Sequence, residues 1–421
     1  MRVLVLGADG FIGRHIACHL RAQGHEVIAS ARDPRRLAAM GFAALRADLT
    51  AAETHDPAFW KPHLTDGTHL VNAAGLLTGS SQAFEAVHVL APRAAMAALG
   101  PKGHALLISA VGLESDTTFA RWRRQGEAAA LAANCTILRP GLVLADTSYG
   151  GSSLLRALAA LPFATPVIGC GDQRFNPIHA ADLAVVVAAC LTTPPGPGPW
   201  EIGGPEILSQ RDLITLIRRW LGRPPQPILC LPLPLAMAIG RLGDALRLGP
   251  ISATAVAQLQ AGVLATPAPV LAGIAPHPRP VSGFVMARPA GTQDLWQARL
   301  YLLKPLTRLT LAVMWLASAG LGLALPPADF LPALATAPLP ETVLVALARL
   351  GGMADLALGL ALLRDWQPRK VALAQLLLVA GYTAGLTLFA PALWLDPFGG
   401  LLKNLPVLVL ILIHLALSEE R

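Results

Sequence analysis

Val3-Leu4-Val5-Leu6-Gly7-Ala8-Asp9-Gly10-Phe11-Ile12-Gly13 decides the fold. A short apolar run enters a turn with glycines at every third position, and an amphipathic helix follows. Gly7 permits the tight turn, Gly10 lets the backbone approach a pyrophosphate, and Gly13 lets the helix lie close on the strand, with unpaired N–H groups at the helix start facing the anion. Gly7, Asp9, Gly10, Phe11, Ile12 and Gly13 are therefore the expected pyrophosphate-side residues of a dinucleotide site.

Downstream, short apolar strands at 3–6, 26–31, 44–47, 69–73 and 105–109 alternate with helical stretches. That alternation predicts an α/β Rossmann architecture, a doubly wound parallel sheet with ligands at the carboxyl ends of its strands. The second strand closes on Ala31 rather than on a carboxylate, and Arg32 follows, which favours the 2′-phosphate of NADP(H), with NAD(H) still possible. Asp33 remains available as a ribose acid, and Arg32, Arg35 and Arg36 can equally form a solvated helix start. After the third strand Asp48 can accept from an adenine amino group while Leu49 packs on the ring, or Asp48 can cap a helix before Thr50 and Glu53. Asn72-Ala73-Ala74-Gly75 closes the fourth strand with residues small enough for cofactor and backbone to approach.

With Ser109 after the fifth strand, Ile137-Leu138-Arg139-Pro140-Gly141-Leu142-Val143, and Asn176-Pro177-Ile178-His179-Ala180-Ala181-Asp182-Leu183, these motifs span about 220 residues in order. The chain resembles the extended and atypical short-chain dehydrogenases, in particular the branch holding the NAD(P)H-binding accessory subunit of mitochondrial complex I and its bacterial relatives. The resemblance implies that Ala73, Ala74, Gly75, Ser109, Pro140, Gly141 and Val143 join the cofactor site, and that 176–183 is a structural loop capped by Asp182.

Short-chain dehydrogenases pair a tyrosine acid with a lysine four residues on. Here the register set by Glu127 and Arg139-Pro140 places Phe119 and Arg123 at those positions. Phenylalanine has no proton to give, and an always-charged guanidinium is a poor acid or base, although it can bind ribose or phosphate. Ser109 and Arg123 are the remaining candidate catalytic residues, and Tyr149 can contribute only if its loop folds back. Two readings stay open: an oxidoreductase acting on a small or lipid-soluble, quinone-like substrate, and a non-catalytic NAD(P)H-binding sensor or assembly factor for a membrane complex.

The rest of the chain explains its composition. Among 421 residues 54% are apolar and 14% charged, against about 25% charged in ordinary globular domains, and the mean hydropathy is +0.53. Apolar stretches at about 306–325, 342–363, 371–389 and 402–417 approach the roughly 20 residues that cross a bilayer, which predicts an all-α bundle of four transmembrane helices. Arg299, Lys304 and Arg308 flank the start of the first stretch and Arg364, Arg369 and Lys370 lie between the second and third, whereas 326–341 holds no Lys or Arg. Both termini are therefore expected in the cytoplasm and the protein in a bacterial-type inner membrane. Span number, spacing and features such as Gly351-Gly352-Met353-Ala354-Asp355 and Lys403-Asn404-Leu405-Pro406 resemble the DoxX-like family. Asp355 and Lys403 are its ionisable residues of interest.

The expected domains are 1–225 for the Rossmann part with a small substrate-side subdomain, 226–298 for a lid and linker, and 299–421 for the membrane bundle. Ser209 should cap a helix to about 221, 228–248 suits an apolar lid helix, and 265–289 reads as a tether. The net charge of +7 comes without a basic run interleaved with aromatics, so nucleic acid is not an expected partner. The five cysteines show no metal-ligand spacing and read as small buried residues in a reducing compartment, and no metal site is expected.

Overall fold

The computed structural model describes residues 1–397 and 399–419; residues 398, 420 and 421, the last two at the end of the expected bundle domain, lie outside it. The chain forms two compact units, Met1–Leu242 with Pro250–Leu295, and Gly243–Gly249 with Trp296–Arg421.

The first unit is built on seven parallel strands, β1 (Arg2–Leu6), β2 (Glu26–Ala31), β3 (Ala43–Arg46), β4 (Thr68–Asn72), β5 (Ala105–Ile108), β6 (Thr136–Pro140) and β7 (Trp200–Ile202), in the order β7-β6-β5-β4-β1-β2-β3. Its helices include α1 (Phe11–Ala22), α2 (Thr118–Ala132), α3 (Ala180–Thr192) and α4 (Gln210–Trp220). Side chains alternate across the sheet. Val3, Val5, Ala29 and Val71 face Ile16 and Leu20 of α1 and Leu183 and Val187 of α3, while Leu4, Leu6, Ile28 and Leu70 face Trp60, Val87, Ala94 and Ala130. Burial of both faces is why these strands read as continuous apolar runs. The strand order reverses between β1 and β4, which pair Leu6 with Asn72, and a crevice opens at their carboxyl ends.

The small subdomain departs from the sequence reading in three places. Ser209 does cap α4, in a reciprocal capping box with Asp212, but Ile228–Leu231 is a strand, paired in parallel with Thr165–Ile168, and the helix of the expected lid begins only at Leu233. The stretch 265–289 is no tether. Asn176 donates its side-chain amide to the Ala265 carbonyl at 2.8 Å and accepts from the Ala265 N–H at 2.9 Å, Arg279 pairs with Asp182 at 2.9 Å, and Leu271, Val281 and Phe284 are buried. Asp182 thus serves this pairing rather than the loop; the cap of α3 is His179, whose Nδ1 accepts from the Ala181 N–H.

The second unit consists mainly of α5 (Thr292–Ala324), α6 (Glu341–Leu363), α7 (Pro368–Phe389) and α8 (Asn404–Leu417). The first three are long and apolar enough to cross a membrane. The fourth expected span is shorter than read, because 401–403 winds as a tight 3-10 turn before α8 begins. Leu311, Trp315, Leu362, Val379 and Ile411 fill the interior, while Val313, Leu321, Leu347, Leu373 and Leu377 are exposed. An apolar outer surface of this kind is suited to lipid, so this unit is a membrane domain. Polar groups sit inside. Asp355 is buried and accepts from Ser318 Oγ at 2.5 Å and Tyr382 OH at 3.0 Å, and Trp315 Nε1 donates to Gln375 at 2.8 Å. Gly322 and Gly352 let α5 and α6 touch, since a Cβ on Gly322 would stand 2.9 Å from the Gly352 Cα. Lys403, by contrast, is exposed at the head of α8.

Candidate dinucleotide and substrate site

The glycine turn is a cradle that side chains would fill. Gly7 has φ of +70°, its carbonyl accepts from the Gly10 N–H at 3.0 Å, and a Cβ on it would lie 2.9 Å from the Ala74 Cα. A Cβ on Gly13 would overlap the Gly7 carbonyl. At Gly10, where α1 begins, there is no side-chain cap and no acid in the first turn, which leaves the N–H groups of Phe11, Ile12 and Gly13 directed at the crevice. Asp9 is exposed, and its carbonyl accepts from Arg14 at 3.3 Å. Across the crevice the Asn72 side chain accepts from the Ala74 N–H at 3.1 Å, which turns Ala73, Ala74 and Gly75 back beside Gly7. Such a cradle fits the pyrophosphate of a dinucleotide.

The adenosine-side residues separate into free and engaged groups. β2 ends at Ala31, and Arg32 is exposed just beyond it. Asp33 is engaged: Arg35 donates Nε at 2.9 Å and a terminal nitrogen at 2.5 Å to it, and this bonded guanidinium holds its carboxyl at about 2. Asp48 accepts from the N–H and hydroxyl of Thr50, at 3.0 and 2.7 Å, bonds that hold its carboxyl below the usual range. Leu49 is buried in the core behind it rather than open to a ring.

On the opposite side of the crevice Arg123 is buried, 3.4 Å from the Ala74 carbonyl, and occupies the space where a Gly75 side chain would stand. Burial draws its guanidinium down to about 10, so it stays cationic at neutral pH. Phe119, one turn earlier on α2, packs with Phe84, Leu113 and Ala120. His88, unremarked in the sequence, lies between them: its ring is 6.2 Å from that of Phe119, and burial with the nearby Arg123 charge pushes it down to about 3. Ser109 is buried, and Ser109 Oγ, Arg123 Nε and His88 Nδ1 have no hydrogen-bond partner among the described residues. Unpartnered buried polar atoms at the end of a cofactor crevice suit a ligand that supplies the partners. Glu127, itself buried, receives the half-buried Arg139 at 2.8 and 2.5 Å, a pair linking α2 to β6. Pro140 ends β6, Gly141 donates its N–H to the Ile202 carbonyl at 2.9 Å and is closed in by Asn176 and Val263, and Val143 pairs with Ile178. These three residues therefore line the passage from the sheet into the small subdomain and are not gathered at the glycine turn.

The loop that follows does fold back. Tyr149 stacks on Phe11, with ring centroids 6.4 Å apart, and His15 meets Thr147 at 3.4 Å. Beside this loop a small pocket is lined by Ser152, Arg156, His179, Trp220, Phe284 and Arg288. Arg156 and Arg288 approach the Trp220 ring, at 4.9 and 5.0 Å, and Asp294 and Asp146 neutralise them. The sequence offered no pattern joining these residues, which come from four separated segments.

Residues 7–194 match the family model described as NAD(P)H-binding, and residues 312–412 match that of the DoxX-like family. A curated relative, subunit 9 of the NADH dehydrogenase (ubiquinone) 1 alpha subcomplex from Arabidopsis thaliana mitochondria, is 24% identical over 254 residues; the match covers 57% of this chain and 62% of that protein's length. Among solved structures, dTDP-glucose 4,6-dehydratase from Bacillus anthracis has 15% identity and a TM-score of 0.47, covering 55% of this chain and 84% of its own. UDP-glucose 4-epimerase from Thermus thermophilus has 18% identity and a TM-score of 0.43, covering 55% and 86%. The chain thus joins a Rossmann-type domain that matches the NAD(P)H-binding family model to a helical domain that matches the DoxX-like one.

Proposed function

We propose that the protein is a membrane-anchored NAD(P)H-dependent oxidoreductase, preferring NADPH, that reduces a lipid-soluble, quinone-like acceptor. A bound nicotinamide supplies a hydride equivalent. Phe11, Ile12 and Gly13 would hold the pyrophosphate through backbone N–H groups, with Gly7 and Gly10 keeping the turn tight and open enough for it to approach and Asp9 at the mouth of the turn. Asp48 would border the adenine with Leu49 buried behind it, Ala73, Ala74 and Gly75 would leave room for the cofactor, and Ser109, Pro140, Gly141 and Val143 would enclose its far end. Arg123 would hold ribose hydroxyls.

The observation that carries the choice of acceptor is Phe119, apolar and packed among Phe84 and Leu113, where the related enzymes place their acid. Reduction of a simple ketone leaves a strongly basic alkoxide that needs such an acid. A reduced quinone carries a phenolate, whose conjugate acid has a pKa of about 10, and water can protonate it. The membrane domain supports the same choice, because it holds the first unit where lipid-soluble acceptors are concentrated. The Lys and Arg distribution supports an inner-membrane protein, multi-pass, with both termini in the cytoplasm. The test is NADPH oxidation by the full-length protein in nanodiscs. Turnover with short-chain quinones and none with aliphatic ketones is the expected result; absence of turnover with any quinone overturns the reading.

A second reading, a non-catalytic sensor or assembly factor for a membrane complex, is favoured by the same Phe119 and by the similarity to a complex I subunit. Tight NADPH binding without turnover is its signature. The cofactor preference rests on Arg32, exposed beyond Ala31, with Asp33 withdrawn onto Arg35. Arg32→Ala is expected to weaken NADPH binding at least about tenfold, or about 1.4 kcal/mol, and to leave NADH binding unchanged, as titration of nucleotide fluorescence would read; an unchanged ratio assigns the 2′-phosphate elsewhere.

A further inference from the structure

The sequence reading treated all five cysteines alike, but Cys170 and Cys230 are exposed, whereas Cys135 and Cys190 are buried. Cys230 lies on the strand Ile228–Leu231 as the parallel partner of Val167, and laterally paired residues project to the same face of a sheet. Beyond Ile168 the chain turns sharply: the Gly169 N–H donates to the Leu231 carbonyl at 2.8 Å and the Gly171 N–H to the Ile168 carbonyl at 3.1 Å. Both glycines have positive φ, +61° and +76°. This turn folds Gly171 back on Val167, so that a Cβ there would stand 3.1 Å from Val167 Cγ2, and it carries Cys170 over the face from which Cys230 projects. Arg211 fixes the turn by donating to the Cys170 carbonyl at 2.7 Å.

We propose that Cys170 and Cys230 form a reversible dithiol–disulfide pair, oxidised by a hydroperoxide, which staples the strand Ile228–Leu231 to the turn after Ile168. One thiolate attacks the peroxide, becoming a sulfenic acid as the O–O bond breaks and an alcohol, or water, departs. The second thiolate displaces hydroxide from that sulfur, so the S–S bond forms and water leaves; two thiols give two electrons and two protons to one peroxide. The neighbouring Cys230 thiol holds the Cys170 thiol above its usual range. Burial pushes Cys135 and Cys190 up to about 12, so both stay unreactive thiols and serve as internal controls.

The experiment is a non-reducing peptide map of the full chain in detergent after brief exposure to hydrogen peroxide. The expected product is a peptide carrying Cys170 linked to one carrying Cys230, about 2 Da lighter than the separate peptides. It returns to two thiols with dithiothreitol and is absent from both Cys170→Ser and Cys230→Ser. Sulfinic or sulfonic acid on each cysteine without a crosslink, or two thiols that remain fully alkylatable, overturns the proposal. The readout does not depend on NADPH binding or turnover.

Discussion

Gly13→Val is expected to lower NADPH affinity by at least about 100-fold, close to 3 kcal/mol, in a titration of nucleotide fluorescence. A Cβ at this position overlaps the Gly7 carbonyl. The backbone must yield, and α1 can move only by withdrawing its first N–H groups from the crevice. A bulkier branched side chain adds to the displacement. The substitution should leave the second unit's helical content unchanged in circular dichroism, because the contact is local to the turn. Retention of full NADPH affinity by Gly13→Val would place the pyrophosphate elsewhere.

The second large effect concerns stability. Glu127→Ala removes the buried carboxylate of this pair and leaves the half-buried Arg139 guanidinium without it, which costs roughly 1.5–3 kcal/mol. The melting temperature of the first unit should fall by several degrees, at roughly 2–4 °C per kcal/mol for a domain of 150–250 residues. Glu127→Met with Arg139→Met should recover most of the loss, since no charge then stays buried unpaired. Equal melting temperatures for wild type and Glu127→Ala would mean that water reaches Arg139 and that the pair holds nothing together.

Much of the first unit is legible because its local rules agree. The run at 26–31 coincides with β2, Ser209 caps its helix, and Gly7 is brought against Ala74, far along the chain, as the strand-end pattern requires. Failures arise where local pattern is ambiguous. Ile228-Leu229-Cys230-Leu231 is four apolar residues, too few for periodicity to separate strand from helix, and its pairing with Thr165–Ile168 is set by tertiary context. The Pro- and Gly-rich 265–289 looks like a tether because its order comes from distant partners, Asn176 and Asp182, rather than from its own periodicity. His88 was invisible for the same reason. Its neighbours Phe119 and Arg123 lie on another helix, and only burial sets its ring in their company.

Asp355 has a consequence for biogenesis. A carboxylate near the middle of a helix costs about 2.5–3.5 kcal/mol to insert into a bilayer, and this one is satisfied by Ser318 from α5 and Tyr382 from α7. One donor is synthesised before α6 and the other after it. The helix is therefore expected to enter a bilayer together with its neighbours, and a truncation that stops the ribosome before Tyr382 is expected to leave α6 with only the Ser318 partner of its carboxylate and a weaker hold on the membrane.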